Sequence, residues 1–363
     1  MKNSKAGDPT MMRVAVIERM RLPFSFRNYF ENVSRELEKL GVELIRISEK
    51  SLIQGDTDLV WYPFSIPPLS LLRSVIRAKK PLVVSLLGDR GLGIPAHVYY
   101  GRDPFTSNVL RLVSITILKT KWFILNKYTK AVITVSRYAK KTLVEKLGLK
   151  PDKVFVVYHG VDHRVFNPSG PRLELDRPYF LHVSQYNPSI YNKKNLPRIL
   201  EAYKKLTISP KPYLVLVIPG YPKTIDIDGV IPIRRPLPTV ELTKLYRGAL
   251  AFIFPSLHET FGMPILEAMA SGCPVITSNV TACPEVVGDA ALLVNPYSTK
   301  SIAEAMELIA TDDNLRRKLI AKGLERAKEF TWRRSALKHK AIFEWVLKQC
   351  ITELNHRNAE VGV

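Results

Sequence analysis

The chain has little cysteine. Of 363 residues only Cys273, Cys283 and Cys350 carry a thiol, which gives neither a disulfide framework nor a metal-ligand spacing. A reducing compartment such as the cytoplasm fits that usage. No signal peptide is read at the amino end, and no low-complexity segment or short repeat occurs. Acidic residues are also scarce: 33 stand against 54 basic ones, a net charge of +21. A field of that sign favours nucleic acid, an anionic membrane or phosphorylated ligands. Nucleic acid is set aside, because no basic stretch is interleaved with aromatics in a sheet pattern.

What is present reads as globular. Hydrophobic content of 46% and charged content of 24% are ordinary, and the length suits two domains. The positive charge is uneven. Between Arg111 and Lys153 there are eleven basic residues and only two acidic ones, Glu145 and Asp152. The apolar run 109–125 inside that stretch is too often interrupted by cations to span a bilayer. Two readings stay open for it. It lies on an anionic membrane surface, with Lys119 and Lys121 toward head groups and Trp122 and Phe123 toward acyl chains. Otherwise it is a domain helix packed on a sheet, with a solvated basic face.

Strand and helix patterns alternate, which argues for an α/β chain with parallel sheets. In the first half, strands are expected near Val14–Ile17, Glu43–Ile47, Leu59–Tyr62, Pro81–Leu86, Ala131–Val135 and Val154–Tyr158. Helices are expected at Tyr29–Leu40 and at Ser136–Leu147, the second with Ser136 as N-cap. A Pro/Gly-punctuated stretch at 160–178 reads as a linker. The alternation then restarts, and a long amphipathic helix closes the chain from Thr331. The expected organisation is a first domain over 12–168, a second over 176–330, and a closing helix over 331–355.

The densest chemistry lies at 255–267, Pro-Ser-Leu-His-Glu-Thr-Phe-Gly-Met-Pro-Ile-Leu-Glu. An apolar run of strand length, Ala251–Phe254, precedes it, and a helical stretch stopped by Gly272 follows. Open α/β sheets bind ligands at such strand-to-helix turns. Gly262 lets the backbone approach a ligand closely. Pro264 suits a first helical position, where no N–H is needed. The free N–H groups of that turn form an anion site. Glu267, placed in the first helical turn, can accept hydrogen bonds from paired hydroxyls such as those of a ribose, and Glu259, on the loop, from a second polyol. By itself the pattern also fits an ordinary strand–turn–helix with a capping Glu.

The surrounding text is more specific. The run 254–278 resembles the Glu-x7-Glu signature of retaining glycosyltransferases of family four, which have the GT-B fold of two Rossmann-like, doubly wound domains facing a cleft. Pro284–Pro296, Ile133–Ser136, Val156–Phe166, Asn192–Ala202 and the Phe330-Thr-Trp332 junction resemble further blocks of that family. The resemblance spans roughly residues 12–350 and is thin before 131. It implies that the last helix crosses back to the first domain. It implies that Glu267 holds the ribose of a nucleotide-sugar and that Glu259 contacts the transferred sugar. Backbone at Phe261, Gly262 and Met263, with Pro264, would meet sugar hydroxyls and diphosphate. Lys194 would neutralise the leaving phosphate. Charge building on that phosphate needs fixed positive groups and a helix start. With these in place no metal and no cofactor is expected.

Three departures from the family's pattern stand across the cleft. The usual Gly-rich turn after the first strand is replaced by Arg21–Asn28, where Ser25 and Arg27 are candidate donors of hydrogen bonds. Leu87 or Gly88 stands where a histidine is usual, with Asp89 or His97 as possible substitutes. Gln185 stands where an arginine is usual, with Lys193 or Arg27 as a replacement for its charge. His159 and His163 are read as structural or hinge residues.

The implied activity is metal-independent transfer of a hexose from a nucleotide diphosphate sugar to a glycan or lipid-linked acceptor, with anomeric retention. The text is most similar to mannosyltransferases of surface glycan assembly, so GDP-mannose leads the donor candidates, followed by UDP-sugars. The expected location is the cytoplasm, peripheral to its membrane through the basic 109–153 region. A nucleotide-sugar 2-epimerase on the same fold is disfavoured by the Glu-x7-Glu text. The rival of another class is a non-catalytic partner subunit that binds the nucleotide-sugar without turnover.

Overall fold

The structure, a computed structural model, describes residues 11–18, 24–48, 53, 56–89, 91–97, 103–186 and 191–361. The first half runs β1 (Met12–Glu18), α1 (Phe24–Lys39), β2 (Val42–Ser48), β3 (Leu59–Tyr62), α2 (Leu69–Ala78) and β4 (Leu82–Leu86). It continues with α3 (Pro104–Asn126), β5 (Thr129–Thr134), α4 (Arg137–Leu147) and β6 (Val154–Val156). The second half runs β7 (Tyr179–Val183), α5 (Leu196–Lys204), β8 (Tyr213–Val217), β9 (Val230–Ile233), α6 (Thr239–Gly248) and β10 (Ala251–Phe254). There follow α7 (Met263–Ala270), β11 (Val275–Ser278), α8 (Cys283–Val287), β12 (Leu292–Val294), α9 (Thr299–Thr311), α10 (Asp313–Lys328) and α11 (Trp332–Val361).

Two six-stranded sheets result, ordered β2-β1-β3-β4-β5-β6 and β12-β11-β10-β7-β8-β9. Every pairing is parallel. Helices cover both faces of such sheets, so the inner strands are mostly apolar: β4 and β10 are buried at every residue, Ser85 being the one polar side chain between them. The chain reverses direction between β1 and β3 in the first sheet and between β7 and β10 in the second. Such switch points, at the carboxyl ends of the strands, open the crevices where ligands sit.

Local signals set several boundaries. Ser136 caps α4 by accepting from Ala139 N at 2.9 Å, and Gly148 ends it in the left-handed region at φ 71°. Helix α1 begins at Phe24, five residues before the expected Tyr29. Ser25 and Arg27 therefore sit exposed on its first turn rather than on a loop. The rest of the glycine-free stretch, residues 21–23, lies outside the described residues. Strand β9 escapes the sequence pattern because Pro232 interrupts it, which an edge strand tolerates.

The run 109–125 forms part of α3, and one expectation about it fails. Trp122 does not face outward: with Leu118 and Leu125 it is buried in the domain. The opposite face does carry apolar groups in the open, with Phe105 78%, Leu112 67% and Phe123 84% exposed. These recur at helical spacing and form one stripe. Among the described residues no helix is long and apolar enough to cross a membrane.

Two crossings join the halves. Residues 157–178 lead from β6 to β7 without regular structure. Residues 329–331 lead back into α11. The crossings touch: Val161 N donates to Phe330 O at 3.1 Å, and a Cβ on Gly160 would lie 2.1 Å from Trp332 N. Helix α11 then packs on α1, where His339 Nε2 meets Tyr29 OH at 2.7 Å and Lys340 Nζ donates to Leu40 O at 2.8 Å. His159 sits buried in this junction, its ring 5.1 Å from Tyr29 and 5.0 Å from Phe261. Burial, with a smaller push from His339, lowers its pKa to about 3, so the ring stays neutral and works as packing.

Candidate active site

The switch point of the second sheet lies between β7 and β10, and the loops leaving those two strands carry the key side chains. After β7, a short turn over Tyr191–Lys194 leads to Asn195, which opens α5. Asn195 is buried with φ 62° and donates to Pro255 O at 2.8 Å and Pro296 O at 2.7 Å. Those two bonds pin the turn to the loops after β10 and β12. Leu257 N completes the tie by donating to Lys193 O at 2.7 Å.

This brings Lys194 and Glu259 together. Lys194 Nζ lies 2.5 Å from Glu259 Oε1 and 4.8 Å from the centroid of the Phe254 ring. Ser256 Oγ donates to the same carboxylate oxygen at 2.8 Å, and Glu259 N donates to Thr281 Oγ1 at 3.2 Å. Burial pushes the Glu259 pKa up. The charges of Lys194 and Lys193, with the hydrogen bonds from Lys194 and Ser256, outweigh it and hold the carboxyl below its ordinary value. The Lys193 pKa is lowered as well, chiefly by burial, and the Glu259 charge opposes that. A paired carboxylate and two clustered ammonium groups at a strand end make an anionic ligand's site with a hydrogen-bond acceptor beside it.

Gly262 turns this loop into α7. Its φ is +100°, and a Cβ there would approach Ile265 Cδ1 to 2.9 Å, so only glycine fits without strain. The helix starts at Met263, and Pro264 takes its second position, still among the four N–H groups that lack helical partners. That start corrects one expectation: Glu267 is the fifth helical residue, just past the first turn. The side chain of Phe261 is buried among Tyr158, His159 and Phe330, which leaves only its backbone to face a ligand. Glu267 is half-buried and accepts from Tyr246 OH at 3.2 Å. Burial raises its pKa to about 7, against the smaller lowering effect of the Tyr246 bond.

The first domain closes over these loops. Thr260 Oγ1 donates to Leu87 O at 3.0 Å, and Ser136 Oγ donates to Thr260 O at 2.7 Å. Glu285 accepts from Arg137 N at 2.7 Å, Tyr138 N at 3.1 Å and Tyr158 OH at 2.8 Å, so a second-domain carboxylate sits at the start of α4. Asp89 and His258 form a buried pair at 3.0 Å. Sequence reasoning missed Asn195, Ser256, Thr281, Tyr246, Glu285 and the His258–Asp89 pair. Pro-Ser before the first Glu and Pro-Glu at 284–285 were visible in the text, but their partners are far along the chain.

Other candidates lie apart. Gln185 is exposed after β7, and His97 is exposed in the first domain. Two Asp-x-Asp spacings, Asp56-Thr-Asp58 and Asp226-Ile-Asp228, bear on the expectation of a metal-free site. Asp58 Oδ2 accepts from Arg13 N at 2.7 Å and Asp56 pairs with the Arg13 guanidinium, at the amino end of β1 and away from the cleft. Asp228 precedes β9 at the amino edge of its sheet. Among the described residues no group of three or more His, Cys, Asp or Glu is placed to share a metal ion.

Comparisons with known proteins agree with this geometry. Residues 169–326 match the family model of glycosyl transferases group 1, and residues 26–165 match that of glycosyltransferase family 4. The chain is 30% identical over 218 residues to O-antigen chain mannosyltransferase B of Escherichia coli, covering 56% of this chain and 57% of that one. It is 27% identical over 292 residues to O-antigen chain mannosyltransferase RfbU of Salmonella typhimurium, covering 75% and 78%. The match to the serotype-specific mannosyltransferase WbdA of E. coli covers 58% of this chain but only 28% of that protein. In solved structures, the sucrose-phosphate synthase of Thermosynechococcus elongatus superposes with TM-score 0.72 at 16% identity, over 93% of this chain and 100% of that chain. Anabaena Alr3699/HepE in complex with UDP and glucose superposes with TM-score 0.68 at 14% identity, over 92% and 99%. At such identities the likeness is one of fold.

Proposed function

Because this chain belongs to the family-four glycosyltransferases of GT-B fold, we propose that it moves a hexose from a nucleotide diphosphate sugar to a hydroxyl of a glycan or lipid-linked acceptor, with retention of anomeric configuration. The observation that carries the reading is the Lys194–Glu259 pair at the switch point of the second sheet, with Glu267 one helical stretch beyond. Departure of the nucleoside diphosphate builds negative charge. Lys194, Lys193 and the N–H groups at the start of α7 stand ready to hold it, without reorganising as it forms. Glu259, kept ionised, accepts from hydroxyls of the transferred sugar. Glu267 accepts from the ribose. No step here routes through a metal. The mannosyltransferases among the relatives favour a GDP-mannose donor, and the UDP bound in a fold relative keeps UDP-sugars in the panel. A donor labelled in its sugar tests the reading: membrane extract should acquire the label, and proton NMR of the product should show the donor's anomeric configuration. An inverted product would overturn it.

Glu267 gives the site a pH response. A ribose diol donates to the ionised carboxylate, so a group with pKa about 7 must lose its proton for full binding. Affinity for a nucleoside diphosphate is expected to rise about tenfold from pH 6 to pH 8 by this linkage. Calorimetry should show proton release on binding, and Glu267→Gln should flatten the profile.

The membrane reading of the acceptor rests on α3. Its apolar stripe of Phe105, Leu112 and Phe123 is exposed, Lys119 lies on the same open side, and the helix from 104 to 126 carries no acidic residue. An amphipathic helix of that kind lies in the plane of an anionic bilayer. Binding to vesicles containing anionic lipid is expected to be salt-sensitive. Leu112→Glu with Phe123→Glu should abolish co-sedimentation, and Lys119→Glu should weaken it. Unchanged binding in both would exclude α3 as the contact.

A further inference from the structure

Glu259 stands between two residues that face the other way. Its own carboxylate is held by second-domain groups, Lys194 and Ser256. The residues on either side of it are held by the first domain. His258 Nε2 meets Asp89 Oδ2 at 3.0 Å, and Thr260 Oγ1 donates to Leu87 O at 3.0 Å. One strip of three residues thus reaches both walls of the cleft.

The His258–Asp89 contact is the more telling of the two. Their side chains are 3% and 1% exposed, so both polar groups have left water. Burying such a pair is costly unless its geometry is satisfied. Asp89 is further oriented by accepting from Gly91 N at 2.9 Å. The carboxylate makes Nε2 the nitrogen that carries the proton. Tyr138 packs beside the imidazole at 6.0 Å between ring centroids, and a Cβ on Gly93 would fall 1.7 Å from the Tyr138 hydroxyl. A first-domain glycine thus makes room for the cluster. The stretch 87–89 is also the one where this chain departs from its family's text.

We propose that His258 and Thr260 are positioning residues that clasp the donor loop to the first-domain stretch 87–89, so that Glu259 is set for the transferred sugar only while the cleft is shut. The inference rests on the glycosyltransferase reading of Glu259. Ribose and diphosphate are assigned to the second domain alone, so the clasp governs the chemical step rather than nucleotide binding.

The test measures three things on the full chain carrying His258→Gln, Asp89→Asn, the pair of these together, or Thr260→Val. Turnover should fall about 100-fold, the scale of a loosely held catalytic group, while affinity for the nucleoside diphosphate stays within about twofold. The double variant should lose little more than either single one, because the two residues act as one unit. Spin labels at Lys141 on α4 and Lys300 on α9 should show a broadened interdomain distance in the His258 and Asp89 variants. Thr260→Val, which keeps the side-chain shape, covers the case in which a buried-pair variant fails to fold. Full turnover in folded variants, losses that multiply in the double variant, or nucleotide affinity falling in parallel with turnover would each overturn the clasp. Wild-type protein that turns over no donor would instead sink the glycosyltransferase reading. The label distances would still decide the clasp, and unchanged distances would reject it.

Discussion

Replacing Lys194 by alanine is expected to lower turnover by about 100- to 1000-fold, the usual cost of losing one preorganised charge at a developing anion. Glu259→Ala should cost a similar factor. The two losses have different origins. In the proposed function Lys194 neutralises the leaving phosphate, so its removal should raise the barrier directly. It also strips the nearest positive charge from a buried carboxylate. The Glu259 pKa, now held down mainly by Lys194 and Lys193 against burial, should rise in that variant. Lys194→Ala should therefore shift the acid limb of the pH–rate profile toward neutrality, whereas Glu259→Ala should remove the dependence on that group. Both proteins should stay folded, because Asn195 and the Leu257–Lys193 backbone bond hold the turn without either side chain. Steady-state release of nucleoside diphosphate, with thermal unfolding as a control, checks all of this. Full activity in both variants would refute the assigned site.

The second large effect is on stability. Gly160→Ala is expected to destabilise the protein by about 3 kcal/mol, at the upper end of ordinary overpacking. The added Cβ would fall 2.1 Å from Trp332 N and 2.4 Å from Thr331 C, both backbone atoms that no rotamer change can move aside. The crossing 157–161 and the crossing 329–332 would have to part, which loosens α11 from α1 and disturbs the cluster around His159. A control distinguishes this from a general intolerance of glycine loss: a Cβ on Gly88 meets nothing within 4 Å, and its φ lies outside the left-handed region. Gly88→Ala should unfold in urea at the same concentration as the parent, while Gly160→Ala unfolds well below it.

Much of the second half was legible because its signals are local. Ala251–Phe254, Gly262 and Pro264 spell out strand, turn and helix within a few positions, so both carboxylates were placed near their ends of the turn. The error of one residue in the start of α7 moved Glu267 from the first turn to the second. In the first half the signals are weaker. Helix α1 extends back to Phe24 because no breaker stands between Phe24 and Tyr29, which the absence of glycine there already implied. One of the two readings of 109–125 turns Trp122 toward acyl chains beside Phe123, but helical geometry places it about 100° from Phe123, on the buried side of the helix.

What the sequence could not show is pairing across the cleft. Asp89 and His258 are separated by 169 positions, and Tyr138 and Glu285 by 147. Neither partner carries a mark that names the other. The departures at Leu87, Gly88 and Gln185 read as losses in the text. In the structure, Leu87 supplies a backbone acceptor to Thr260, and Asp89 beside it holds His258. Lys193, half-buried, lies near enough to Glu259 for their charges to act on each other, whereas Gln185 is exposed.

The most direct measurement is the release of nucleoside diphosphate by the wild-type protein from a panel of GDP-mannose, UDP-glucose and UDP-N-acetylglucosamine, with membrane extract as acceptor. Turnover of one donor at a rate proportional to protein concentration, lost in Lys194→Ala, is the expected result. Measurable nucleotide binding with no turnover of any donor would contradict the account and leave a nucleotide-sugar-binding partner subunit in its place.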